Sequence, residues 1–106
     1  MIDQVLIERV AKTIATRLQP EKIVLFGSWA WGEPDEHSDL DILVIKRSSL
    51  RRDRRAREVS ELFASRTFPL DVLVYTPTEV ERCSKMKGSF VRYILENGRT
   101  LYERPA

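Results

Sequence analysis

The sequence has a single cysteine, Cys83, so neither an internal disulfide nor a thiolate metal cluster is open to it. That usage fits a reducing, cytoplasmic setting, with Cys83 a small half-buried side chain. No apolar run exceeds strand length, Ile42 to Ile45 being typical, and a membrane-spanning helix of about 20 apolar residues is therefore excluded. The opening Met1-Ile2-Asp3-Gln4 has no basic stretch leading into an apolar one, so no signal peptide is expected. Repeats, linkers and low-complexity tracts are missing as well. The only histidine, His37, reads as an exposed loop residue, with a phosphate contact or titration near neutrality as the alternative.

What is present is an ordinary globular composition. With 106 residues, 42% hydrophobic and 32% charged, the chain is expected to form one domain over residues 1–106. The net charge of +2 hides a dipole along the sequence. Between Lys46 and Arg57 stand seven basic residues against one acid, Asp53. Just before them, Gly32 to Asp41 carries five carboxylates: Glu33, Asp35, Glu36, Asp39 and Asp41.

Apolar spacing divides the chain into short elements. Val5, Leu6, Val10, Ile14 and Leu18 recur at helical intervals and predict a helix over 2–18, stopped by Pro20. Ile23 to Phe26 is a buried strand closed by Gly27-Ser28, with Ser28 as the expected N-cap of a short helix through Trp31. Leu40 to Ile45 and Leu70 to Tyr75 are the next strands. Between them a helix over 49–65 is expected, with Leu50, Val59, Leu62 and Phe63 as its apolar side. Thr76-Pro77-Thr78-Glu79 starts helical segments over 78–85 and 88–96, and Thr100 to Tyr102 adds a last strand. The order predicts an α/β domain with a mixed central sheet flanked by helices. A helical crossover between the second and third strands makes that pair parallel.

Parallel pairing brings together the strand starts, and both carry aspartate. Asp39 and Asp41, two residues apart, share a face, and Asp71 sits at the matching place on the third strand. Three anions so close need cations, and hard carboxylate oxygens suit Mg2+ or Mn2+. Two such ions about 3.5 to 4 Å apart would clamp the attacking and leaving oxygens of a phosphoryl or nucleotidyl transfer. Gly27-Ser28 supplies a complementary feature: backbone N–H groups and a hydroxyl, where phosphates can approach. Each part alone has a bland explanation, a turn or a solvated strand cap. Their joint occurrence in this order requires several independent coincidences on that explanation.

The stretch "GSWAWGEPDEHSDLDILV" resembles the signature of the DNA polymerase beta-type nucleotidyltransferase superfamily, with Gly27-Ser28, a spacer, then Ser38, Asp39 and Asp41. Asp71 in "LDVLV" matches the third carboxylate, and the short length resembles the minimal nucleotidyltransferase branch. The resemblance implies a small nucleotidyltransferase domain using two Mg2+ ions (or Mn2+), with Asp39, Asp41 and Asp71 as catalytic and metal-binding residues. It implies ATP as substrate, held by Gly27, Ser28 and Ser38. It further implies an antitoxin role: AMP transfer to a tyrosine of a HEPN-type RNase toxin, in a hetero-oligomer with that toxin. The sequence departs from the pattern at Trp31, where many relatives carry an arginine. A non-catalytic antitoxin that acts by binding alone, and a nucleotidyltransferase whose small-molecule acceptor is held by a partner, remain open.

Other features are weighed against plainer roles. The basic run fits a salt-bridged helix face or the docking of an acidic partner; it contains no aromatics to stack on bases, and nucleic acid is not expected as a partner. No membrane partner is expected either. Trp29 and Trp31 fill core or partner surface, or one packs on a nucleotide base. Tyr75, Tyr93 and Tyr102 are expected to be packing residues.

Overall fold

The computed structural model describes residues 2–105. Among these residues nine elements follow one another: helix α1 (Gln4–Leu18), strand β1 (Lys22–Phe26), helix α2 (Ser28–Trp31), strand β2 (Leu40–Ile45), helix α3 (Arg52–Glu61), strand β3 (Leu70–Tyr75), helices α4 (Pro77–Ser84) and α5 (Phe90–Asn97), and strand β4 (Arg99–Glu103). The sheet order is β3-β2-β1-β4, with β2 and β3 parallel and the other neighbours antiparallel. The sheet is therefore mixed, as the element order predicts.

Alternation along the strands divides the core into two layers. Ile23 and Leu25 of β1, with Leu40, Ile42 and Val44 of β2, face one way and bury Ile7, Val10 and Ile14 of α1 and Val59 of α3. Val24, Phe26, Leu43 and Ile45 face the other way, under Val91 and Ile94 of α5 and Val80 and Cys83 of α4. Asp41 and Asp71, in step with Leu43 and Leu73, belong to this second face.

Helix starts follow the capping chemistry written in the sequence. Asp3 caps α1 by accepting from the Leu6 N–H at 2.8 Å. Thr76 and Glu79 form a reciprocal capping box on α4, with Pro77 in its first turn. Two expectations are corrected. Ser28 is not the N-cap of α2: Gly27 is, its carbonyl accepting from the Ala30 and Trp31 N–H groups at 3.0 Å each. Helix α3 is shorter than 49–65. Leu50 precedes it, 39% exposed, with its N–H bonded to the Ser48 hydroxyl. After Glu61 the chain tightens into three-residue turns, Leu62 to Val59 and Phe63 to Ser60.

An arginine shares the buried side of α3 with Val59. Arg55 is 8% exposed and donates to both Glu79 oxygens, at 2.6 and 3.3 Å, and to the Leu50 carbonyl at 2.7 Å. Arg52 lies 4.3 Å from the centre of the Tyr75 ring. These contacts tie α3 to β3 and α4, so part of the basic run is structural. Among the described residues no helix is long and apolar enough to cross a membrane.

Candidate active site

Residues at the start of the two parallel strands build the site. The register pairs Leu40 with Leu70 and Asp41 with Asp71, so these two carboxylates stand side by side on neighbouring strands, roughly 4.8 Å apart in backbone spacing. Asp41 is also the cross-strand partner of Phe26, the last residue of β1. The chain then passes from Phe26 into Gly27 and α2, which brings the Gly-Ser turn against the carboxylates.

Gly27 shows how close that approach is. Its backbone, at φ 77° and ψ −159°, lies in a region open essentially to glycine alone. A Cβ placed there would run into the Asp41 carboxylate. As at any helix start, the Ser28 and Trp29 N–H groups have no partner within the helix, and they flank the same corner. Donors and acidic groups from separate parts of the sequence, with ten residues between Ser28 and Asp39, thus share one edge.

The acidic groups raise one another's cost. Asp41 is half-buried, and burial, followed by the charges of Asp71 and then Asp39, pushes its carboxyl up from 3.8 to about 6. Asp39 and Asp71 are both exposed. Among the described residues no ion pair involves any of the three. Asp41 and Asp71 are register partners and Asp39 lies near enough for its charge to act on Asp41, without a closed coordination cage among the described residues. No three His, Cys, Asp or Glu side chains among the described residues are drawn close enough to hold a metal ion. The donor set nevertheless fits a hard divalent cation: three carboxylates on one edge, the central one short of positive charge.

Ser38 shapes the turn that precedes the acidic strand start. Its hydroxyl accepts from the Asp35 N–H at 2.9 Å and donates to Asp35 Oδ1 at 3.3 Å. The Asp35 carboxylate also accepts from the His37 N–H at 2.8 Å, closing a tight turn that delivers Asp39 to the strand start. His37 itself is exposed beside Glu36.

The two tryptophans separate. Trp29 is half-buried against the α1 face of the core, whereas Trp31 is 41% exposed on the carboxylate face. Trp31 lies 6.3 Å from the Phe26 ring and meets Tyr93 edge-on at 5.3 Å. Tyr93, expected to pack, is 50% exposed. Sequence reasoning missed both this aromatic row and the Arg55–Glu79 bridge. The second had one readable signal, a Thr-x-x-Glu capping box whose carboxylate has oxygens to spare.

Residues 7–101 match the nucleotidyltransferase domain family. A candidate protein adenylyltransferase of Methanocaldococcus jannaschii is 36% identical over 84 residues, spanning 77% of this chain and 78% of that one. Two solved structures of variants of the toxin–antitoxin MntA–HpeT share the fold. Their TM-scores are 0.59 and 0.58 at 17% and 20% identity, over 91% and 98% of this chain and 72% and 75% of theirs. A toxin–antitoxin structure with AMP-PNP aligns at a TM-score of 0.52 and 20% identity, over 92% of this chain and 73% of that one.

Proposed function

The chain belongs to the nucleotidyltransferase domain family, and on that premise we propose that it is a metal-dependent protein adenylyltransferase acting as an antitoxin. Its reaction is transfer of AMP from ATP to a tyrosine hydroxyl of a partner HEPN-type RNase toxin, which is thereby inactivated. The protein-acceptor reading draws on the adenylyltransferase relative, and the antitoxin reading on the toxin–antitoxin structures of like fold. The observation that carries this reading is the close approach of the Gly27 backbone to Asp41, with the helix-start N–H groups of α2 beside the paired Asp41 and Asp71.

Each residue has a role that follows from its place. Gly27, having no side chain, lets its turn close against Asp41, and the Ser28 hydroxyl and N–H would donate to phosphate oxygens. Ser38 shapes the turn and reaches the nucleotide once its hydroxyl leaves Asp35. Asp39, Asp41 and Asp71 would hold Mg2+, two ions in the full reading, with Mn2+ as a substitute. When bound, such ions would supply positive charge for the triphosphate and for the attacking and leaving oxygens. The tyrosine oxygen attacks the α-phosphorus in line, forming an O–P bond as the bond to the bridging oxygen breaks and pyrophosphate departs. Asp71, exposed at the outer strand, takes the hydroxyl proton. The chain's remaining contribution is positioning.

The test is label transfer from α-labelled ATP with Mg2+, in lysate of the source cells or with the neighbouring gene's product. Wild type is compared with the Asp39→Asn, Asp41→Asn double variant. A labelled protein seen with wild type alone, and not with γ-labelled ATP, is the expected result. No label with either, while the double variant still silences the toxin, would overturn catalysis and leave an antitoxin that works by binding.

A further inference from the structure

The aromatic row beside the carboxylates has no part in the transfer chemistry derived above. Phe26, cross-strand partner of Asp41, is buried under Phe90, whose ring meets it edge-on at 5.7 Å. Trp31 stands next to Phe26, and Tyr93 next to Trp31. The row therefore runs outward from the sheet edge along one face, from a buried ring to exposed ones. Trp31 is the ring best placed to meet a ligand. It is one helical turn beyond Ser28 and 41% exposed, and an edge-on neighbour engages only part of its surface. An indole in that position costs apolar exposure, and the core has no need of it, since Trp29 fills the core side of the same turn.

From this placement we infer that Trp31 is the stacking platform for the base of the nucleotide, with Phe26 and Tyr93 holding its ring in place; the inference rests on the nucleotidyltransferase reading of the adjacent site. In any nucleoside triphosphate one ribose separates the base from the α-phosphate. Helix α2 is a single turn, Ser28–Trp31, so Trp31 lies only about 4.5 Å along its axis from Ser28, within the reach of the base of a triphosphate seated at Gly27-Ser28. Stacking on an indole depends on the area of the base's π-face more than on its hydrogen-bonding edge. The ligand class is thus a purine nucleotide. Adenine and guanine bind comparably, and cytosine and uracil less well.

The experiment is calorimetric titration of the full chain with Mg2+ and, in turn, ATP, GTP, CTP and inorganic tripolyphosphate. Wild type is compared with Trp31→Ala and Trp31→Phe, each checked for a native far-UV spectrum. Loss of a base–indole stack weakens ATP and GTP by roughly 5- to 100-fold in Trp31→Ala, with partial rescue in Trp31→Phe and no change for tripolyphosphate. As a second reading independent of that substitution, Trp29→Phe leaves Trp31 as the sole indole. Its fluorescence should then be quenched by ATP and not by tripolyphosphate. ATP affinity within twofold of wild type in Trp31→Ala would overturn the inference while the transfer reading stands, and would point to the acceptor protein as the ligand of this row. Equal weakening of ATP and tripolyphosphate would also overturn it, since Trp31 would then act through the phosphate turn. Failure of wild type to bind any nucleotide would instead strike the nucleotidyltransferase reading itself.

Discussion

Replacing Asp41 by asparagine should make the metal-free protein more stable, although it removes a residue central to the site. The native carboxyl sits at about 6 against an ordinary 3.8, which corresponds to about 3 kcal/mol of differential proton binding. Asp41 is partly open to solvent, so screening reduces this to about 1–2 kcal/mol. The sign follows from proton binding. Between pH 3.8 and about 6 the native state holds the Asp41 proton more tightly than the unfolded chain, so stability falls as pH rises through that window and stays low above it. Asparagine keeps the shape and removes the charge. For a chain of 106 residues, about 1–2 kcal/mol corresponds to a rise in Tm of roughly 5–15 °C. Thermal unfolding at pH 7.5 with a chelator and low salt checks this, and a repeat near pH 4 should show most of the difference gone. Added Mg2+ should raise the Tm of wild type more than that of the variant. An unchanged or lower Tm for Asp41→Asn at pH 7.5 would refute the claim that like charges and burial strain this edge.

Other expectations follow from the same geometry. Gly27→Ala forces a side chain into the Asp41 carboxylate at a backbone angle that costs about 1–3 kcal/mol, so both Tm and label transfer should fall; denaturant unfolding and the transfer assay read the two effects. Glu79, held down at about 2 by its hydrogen bonds from Arg55, contributes stability that is full above 4.5 and lost as pH falls toward 2. With its side chain 23% exposed, that contribution is about 2 kcal/mol after screening; Glu79→Gln should flatten the acid limb of a stability–pH profile and leave the limb above pH 5 parallel. Arg51, Arg54 and Arg57 are exposed on the helix that follows the far end of β2, which runs on four residues past Asp41, at least about 13 Å. Their triple alanine variant should bind ATP within twofold of wild type, and a larger loss by calorimetry would show that the basic run serves the nucleotide.

Local chemistry made much of the site readable in the sequence. Asp39 and Asp41 share a face because strand side chains alternate, and Asp71 opens a strand joined to theirs by a helical crossover. The Gly-Ser turn, the capping box at Thr76 and the stops at Pro20 and Gly32 are likewise short-range features, decided by residues within a few positions of one another. What the sequence alone left undecided depends on which distant residues meet. Nothing local distinguishes Arg55 from the other basic residues of its run; it is buried because Glu79, 24 residues on, lies opposite it once α4 packs on β3. Trp29 and Trp31, two apart on one turn, point about 200° apart, and only the position of α2 on the sheet decides which meets the core. The contact of Gly27 with Asp41 is of the same kind. Sequence set the donors and acceptors on their strands and turns, whereas the antiparallel pairing of β1 with β2 brought them together, because cross-strand register is a property of the whole sheet.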